Sequence, residues 1–187
     1  MRVFDFDNTI YNGESVLDFY FFSIKYKPVV IKYIFVVIYE FLRYKWGFTT
    51  LSRLDEVASK YATEYANEFD DIDKVVNDFW DKNIKKIKPW YTPQPDDLLL
   101  TASFNIIMDE LCRRMGIKSC ICSTFNRENN TVTYLNFSGN KKEIFQKIYG
   151  KETIIDKFYT DHKFDKPMFS ISKEVYLVKG NKIKKIK

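Results

Sequence analysis

The sequence predicts an α/β fold: a Rossmann-like parallel sheet with a block of helices inserted after its first strand. Three observations carry this reading. Short apolar runs that end in polar loops recur at Arg2 to Phe6, Asp97 to Thr101, Thr153 to Tyr159 and Glu174 to Val178, the pattern of buried parallel strands. Helical patterns separate the later runs, as in chains of βαβ units. The stretch from about Ser15 to Ile87 holds no convincing strand.

Composition is compatible with this fold and excludes several others. A chain of 187 residues suits one domain with an insert. Its 45% apolar and 29% charged residues can build a core. Thirty Lys and Arg against 25 Asp and Glu leave +5, with no concentrated basic stripe, so no nucleic-acid partner is expected. Three cysteines without a C-x-x-C pair, and His162 as the only histidine, argue against zinc. Reduced cysteines point to a cytoplasmic setting. The opening Met1 to Asp5 turns acidic at once, unlike a cleavable signal peptide.

In chain order, the first strand ends in the loop Asp5-Phe6-Asp7-Asn8-Thr9. Pro28 suits the first turn of a helix running from Val29 to about Trp46, apolar on nearly every face. Ser52-Arg53-Leu54-Asp55 reads as a capping box opening a third helix. A fourth spans about Ile72 to Ile87, and Pro89, Pro93 and Pro95 mark a linker. The second strand breaks after Thr101 into a loop of small residues. Ile106 to Met115 is a helix stopped by Gly116. Ile117 to Thr124 and Thr131 to Phe137 flank Asn129-Asn130 as a hairpin, and Lys141 to Tyr149 is a helix closed by Gly150. The Lys-rich end, Val178 to Lys187, reads as a solvated tail.

Ligands of open parallel sheets sit beyond the carboxyl ends of the strands. Four polar groups meet there: Asp5 and Asp7 with Thr9; Thr101 with Ser103; Lys141 and Lys142; Asp161 and Asp165. Converging carboxylates repel and need a cation. Hard oxygen ligands without His or Cys favour Mg²⁺. The lysine and the hydroxyl suit a phosphate instead. The sum is a magnesium site that holds a phosphoryl group.

Asp5-Phe6-Asp7-Asn8-Thr9 resembles motif I (D-x-D-x-T) of the haloacid dehalogenase-like (HAD) superfamily. Leu98-Leu99-Leu100-Thr101 resembles motif II, Lys141 the motif III lysine, with Lys142 as its rival, and Tyr159 to Pro167 motif IV. The four appear in family order. The resemblance implies that Asp5 attacks phosphorus and that Asp7 serves as general acid and base. It implies that Thr101, with Ser103 able to share its task, and Lys141 hold phosphoryl oxygens. Asp5, the Asp7 carbonyl and Asp161 would ligate Mg²⁺, with Asp165 supporting its water shell or orienting the lysine. The acid at Asp7 goes with phosphatases of this superfamily, and Asn8 replaces the commoner glycine. His162 reads as a lining or surface residue.

An insert between motifs I and II resembles the helical cap of subfamily IB, the phosphoserine-phosphatase-like group. The implied division is a core of residues 1–14 and 89–187 with a cap of 15–88. Phe19 to Phe48 is rich in aromatics flanked by Lys25, Lys27, Lys32, Arg43 and Lys45, and 18% of the chain is aromatic. Its apolar run is too short to cross a bilayer, which takes about 20 residues. The mixture suits either a membrane-interface helix or a hydrophobic cap core. The layout also resembles phosphatidylglycerophosphatase C and its relatives. The expected partner is thus a phosphorylated lipid at the inner face of the membrane, or a phosphorylated small molecule. A non-catalytic module on the same fold is a further alternative.

Overall fold

The computed structural model describes residues 1–48, 50–136 and 139–187. Seven strands form one sheet in the order β4-β3-β2-β1-β5-β6-β7. Strands β1 (Arg2–Phe4), β2 (Leu98–Phe104), β3 (Ser119–Asn126), β5 (Ile155–Thr160) and β6 (Ser172–Lys179) run parallel. The edges β4 (Thr131–Tyr134) and β7 (Lys182–Lys185) are antiparallel to β3 and β6. The predicted parallel α/β sheet is therefore present. β1 lies at the centre between β2 and β5, so the chain leaves it in both directions and opens a crevice at its carboxyl end.

Alternation along the strands builds two cores. Val3, Leu98 and Leu100 point to a cluster with Phe145, Phe158 and Met168. Phe4 and Leu99 point the other way, into a cluster with Met108, Leu111, Phe79 and Trp80. The second cluster joins helix α5 (Asn105–Met115) to α1 (Ser15–Ser23), α3 (Leu51–Asn67) and α4 (Ile72–Asn83) of the helical block, whose remaining helix is α2 (Lys32–Lys45). Trp80 is wholly buried there and donates its indole N–H to the Ile107 carbonyl at 2.8 Å. Helices α6 (Gly139–Tyr149) and α7 (Lys166–Phe169) serve the other face.

The two crossings into and out of the helical block lie side by side. Asn12 donates to the Lys86 carbonyl and Lys88 to the Ile10 carbonyl, at 2.9 and 2.8 Å. Tyr11 and Lys86 both bond the Asp18 carboxylate of α1, at 2.7 and 2.8 Å. The block is thereby clasped at its root, next to the Asp5–Asp7 loop.

Several expectations change. β2 does not break at Thr101 but runs on to Phe104, with a register shift against β3 after Leu100. Pro28–Ile31 forms a 3-10 turn, and α2 proper begins at Lys32. Helix α3 starts at Leu51, capped by the Thr50 side chain, which accepts from the Arg53 N–H; the Ser52 and Asp55 side chains lie outside the described residues. The fourth helix ends at Asn83 and gives way to a 3-10 turn. The hairpin forms with Asn130 at φ 52°, but β4 ends at Tyr134, and Phe137 lies outside the described residues. The expected solvated tail is instead β7. Gly180, at φ 57°, turns the chain back on β6, and the lysines that made the segment read as solvated suit an exposed edge strand.

Helix α2 buries Tyr33, but much of its apolar surface faces out. It turns Glu40 inward, paired with Arg43 at 3.1 Å, and leaves Phe35, Ile38, Tyr39 and Leu42 in solvent, Phe35 at 67% exposure. Trp46 and Phe48 beyond it are 65% and 70% exposed. Among the described residues, no helix is long and apolar enough to cross a membrane.

Candidate active site

Asp5 follows the last residue of β1, and its N–H bonds the Tyr159 carbonyl of β5 at 2.9 Å. Its carboxylate accepts from Lys141 Nζ at 2.7 Å and from the Thr9 hydroxyl at 3.3 Å. Lys141 comes from the first turn of α6, which lies under the sheet edge because Phe145, one turn on, is wholly buried in the core. Its ammonium also lies 3.2 Å from Asp165 Oδ2. Lys142, one residue on, reaches Ser170 on the surface at 3.0 Å. The structure thus brings Lys141, and not its rival, to Asp5.

Asp7 is held from two directions. The Ser15 N–H at the start of α1 donates to Oδ1 at 2.6 Å, and Ser103 Oγ donates to Oδ2 at 2.8 Å. A carboxylate at a helix N-terminus meets both an unpaired N–H and the positive end of the dipole. Ser15 and Ser103 also share a hydrogen bond of 2.7 Å. Ser103 is therefore committed to Asp7 in this structure rather than free to share a phosphate with Thr101. Directly after Asp7 the loop turns through Asn8 at φ 54°, a conformation that favours Gly or Asn.

Thr101 is wholly buried two residues past Leu99, which pairs with Phe4, and so stands at the same sheet edge as Asp5. Its hydroxyl accepts the Ser103 N–H at 3.1 Å. The segment is braced from outside: Asn136 donates to the Thr101 carbonyl at 2.8 Å and Ser123 to the Ala102 carbonyl at 2.7 Å. Across the crevice, Asp165 accepts from the Thr160 hydroxyl at 2.9 Å. Asp161, half-buried, follows β5 directly. His162 is exposed, and its N–H bonds Thr160 Oγ1 at 3.1 Å.

Sequence reasoning missed Ser15, Lys88, Asn136 and Thr160. Lys88 is buried, and its ammonium bonds the Asn8 carbonyl. Burial lowers its pKa while Asp161 raises it. Nothing local marks such residues; the signal was only their position beside a motif or at the exit of the insert.

Burial dominates the electrostatics. It pushes the Asp5 carboxyl up to about 7, with Lys141 pulling down and Asp165 and Asp7 pushing up further. Asp7 is raised by burial against the hydrogen bonds from Ser15 and Ser103. Asp161 is raised by burial and by Asp165. Lys141 is raised despite burial, by Asp5 and Asp165. The crevice is thus short of positive charge for its carboxylates. Carboxylate oxygens with no His or Cys beside them are hard donors of the kind that suits Mg²⁺. Among the described residues no three acidic, His or Cys side chains are arranged as a metal cluster.

No family model matches the sequence, and comparison with curated proteins finds no significant match. Solved structures do match. A protein of unknown function from Bordetella pertussis Tohama I aligns over 91% of this chain and 85% of its own, at 14% identity and a TM-score of 0.65. A HAD family hydrolase from Salmonella enterica subsp. enterica serovar Typhi aligns over 91% of this chain and 59% of its own, at 15% identity and a TM-score of 0.57. A phosphoserine phosphatase in apo form reaches 16% identity and a TM-score of 0.47 over 93% of this chain and 83% of its own, and adds nothing to the assignment. With its mostly parallel sheet and the crevice beyond β1, this chain has the fold of the HAD-family hydrolases.

Proposed function

We propose that the protein is a Mg²⁺-dependent phosphomonoesterase working through an aspartyl-phosphate on Asp5. The observation that carries this is the pairing of Asp5 with Lys141, while Asp7 is held separately by Ser15 and Ser103. In the first step an Asp5 oxygen attacks phosphorus, the ester P–O bond breaks, and Asp7 gives its proton to the departing alkoxide. Its raised pKa suits an acid that must start protonated. In the second step water attacks the phosphoryl group, Asp7 takes the proton back, and Asp5 and inorganic phosphate are released. Lys141 balances charge on the phosphoryl oxygens, and Thr101 stands where a hydroxyl donor belongs. A bound Mg²⁺, held by Asp5, Asp161 and the Asp7 carbonyl, would supply the positive charge that lets Asp5 and the phosphate approach each other.

Residues 15–88 act in this reading as a cap over the crevice, clasped at Asp18. The exposed apolar face from Val29 to Phe48 favours an amphipathic or lipid phosphate met at a membrane surface. One observation favours a dissolved metabolite instead: Lys27, Lys32 and Arg43 are already paired with Asp70, Glu68 and Glu40. Such exposed pairs are weak, so the basic groups can still be drawn to anionic lipid. Hydrolysis of an aryl phosphate with and without Mg²⁺, by wild type and Asp5→Asn, tests the chemistry. Magnesium-dependent turnover lost in the variant is the expected result; turnover retained in Asp5→Asn removes Asp5 as nucleophile.

A further inference from the structure

A cavity of about 190 Å³ lies between the helical block and the carboxyl end of β2, and its lining is almost wholly apolar. Tyrosines contribute rings without polar tips. The hydroxyl of Tyr20 bonds the Val30 carbonyl, that of Tyr33 bonds Glu68, and that of Tyr65 bonds Ser23, at 2.7, 2.9 and 2.7 Å. Helix α3 adds Ala58, Ala62 and Ala66, four residues apart and so on one face. Small side chains there leave the space open. Water gains no partners in such a cavity, which stays dry or takes an apolar ligand.

Its position relative to Asp7 gives the cavity a role. Ser15 and Ser103 hold the two oxygens of Asp7, and the residues that follow them, Val16 and Phe104, line the cavity. Two separate chain segments therefore link the Asp7 carboxylate to the apolar wall within one residue. A group that protonates the departing oxygen must lie beside the leaving group. Resting on the reading of Asp7 as that acid, we propose that the leaving group of the substrate is a single hydrocarbon chain seated in this cavity. By the scale of a ~150 Å³ apolar cavity that takes benzene, the space holds roughly six to eight carbons. Helix α2 lines the cavity with Tyr33 and Ile34 and turns Phe35 and Ile38 to solvent, so one helix separates the cavity from the exposed apolar face.

The test is a series of straight-chain alkyl phosphates from ethyl to dodecyl, read as kcat/KM. The expected result is a gain of about fourfold per methylene up to six to eight carbons, then a plateau. Ala62→Phe fills the cavity and is expected to cut the octyl-to-ethyl ratio at least tenfold; Ala58→Leu replaces it should the first variant not fold. A flat chain-length profile, or a ratio unchanged in a folded variant, overturns the proposal. Aryl phosphate hydrolysis measured in parallel reads the phosphatase chemistry by itself. Where that chemistry is absent, calorimetric affinities of the same alkyl phosphates decide the matter, and affinity independent of chain length overturns it. Lysophosphatidic acid, which carries one chain, in phosphatidylcholine vesicles distinguishes the source: its turnover marks a membrane lipid, and a chain-length gain without it marks a dissolved amphiphile.

Discussion

Lys141 Nζ and Asp5 Oδ1 meet at 2.7 Å across 136 residues of sequence, and both side chains are nearly excluded from solvent. A buried pair of this kind is costly to leave half-made. A second carboxylate, Asp165, on the same ammonium makes Lys141 the charge centre of the crevice. Lys141→Ala is therefore expected to lower phosphatase kcat by about a hundredfold or more, as removal of an oxyanion donor does. Lys142→Ala, at a surface site, is expected to stay within about twofold. Equal losses in the two variants would contradict the assignment.

Ser103 is a positioning residue in this account, and its effect is on Asp7. Its hydrogen bond favours the ionised carboxylate, so Ser103→Ala should raise the Asp7 pKa further. The alkaline limb of the phosphorylation rate, where the acid is lost, then moves up by about one pH unit, the scale of one hydrogen bond to a charged group. A lower rate with an unmoved profile would make Ser103 merely structural.

Stability carries the signature of Asp5. Its folded-state pKa is raised, from 3.8 to about 7, so the folded protein keeps a proton that the unfolded chain releases. Its contribution is favourable below the unfolded value and is lost as pH climbs to the folded one. Without metal, Tm of Asp5→Asn minus Tm of wild type should therefore grow between about pH 4 and pH 7. Adding Mg²⁺ should raise wild type and close the gap, since a ligand stabilises the state that binds it. Calorimetry with and without a chelator checks both; a gap that shrinks with pH refutes the assignment.

The exposed aromatic face should seek membranes. Flotation with vesicles containing anionic lipid is expected to carry wild type, and Phe35→Ser with Trp46→Ser and Phe48→Ser is expected to stay behind. Each buried aromatic contributes about 1.5–3 kcal/mol, so three changes suffice to abolish partitioning. Absence of wild-type binding favours the dissolved substrate.

The sheet was legible because buried parallel strands write themselves as apolar runs, and the motifs because each follows such a run. Leu98 to Thr101 shows the limit: small residues after it read as a loop, yet Ala102 and Ser103 extend β2, where Ser123 holds the Ala102 carbonyl and Asn136 that of Thr101. Those braces come from distant elements and leave no local trace. Lys88 is the same case, a cation whose role depends on a loop 80 residues earlier. Lys141 was separable from Lys142 only by the phase of α6, which burial of Phe145 sets. On α2, apolar content was plain, but which face meets solvent followed from Glu40 turning inward.

The most direct measurement of the central claim is mass spectrometry of acid-quenched enzyme after brief mixing with an aryl phosphate and Mg²⁺. The account predicts a phosphoryl increment on the peptide carrying Asp5, labile to hydroxylamine and absent from Asp5→Asn. Turnover without any such adduct, with an ester chiral at phosphorus hydrolysed with inversion rather than the net retention that two in-line displacements give, would mean that water attacks the substrate directly and that Asp5 is not the nucleophile.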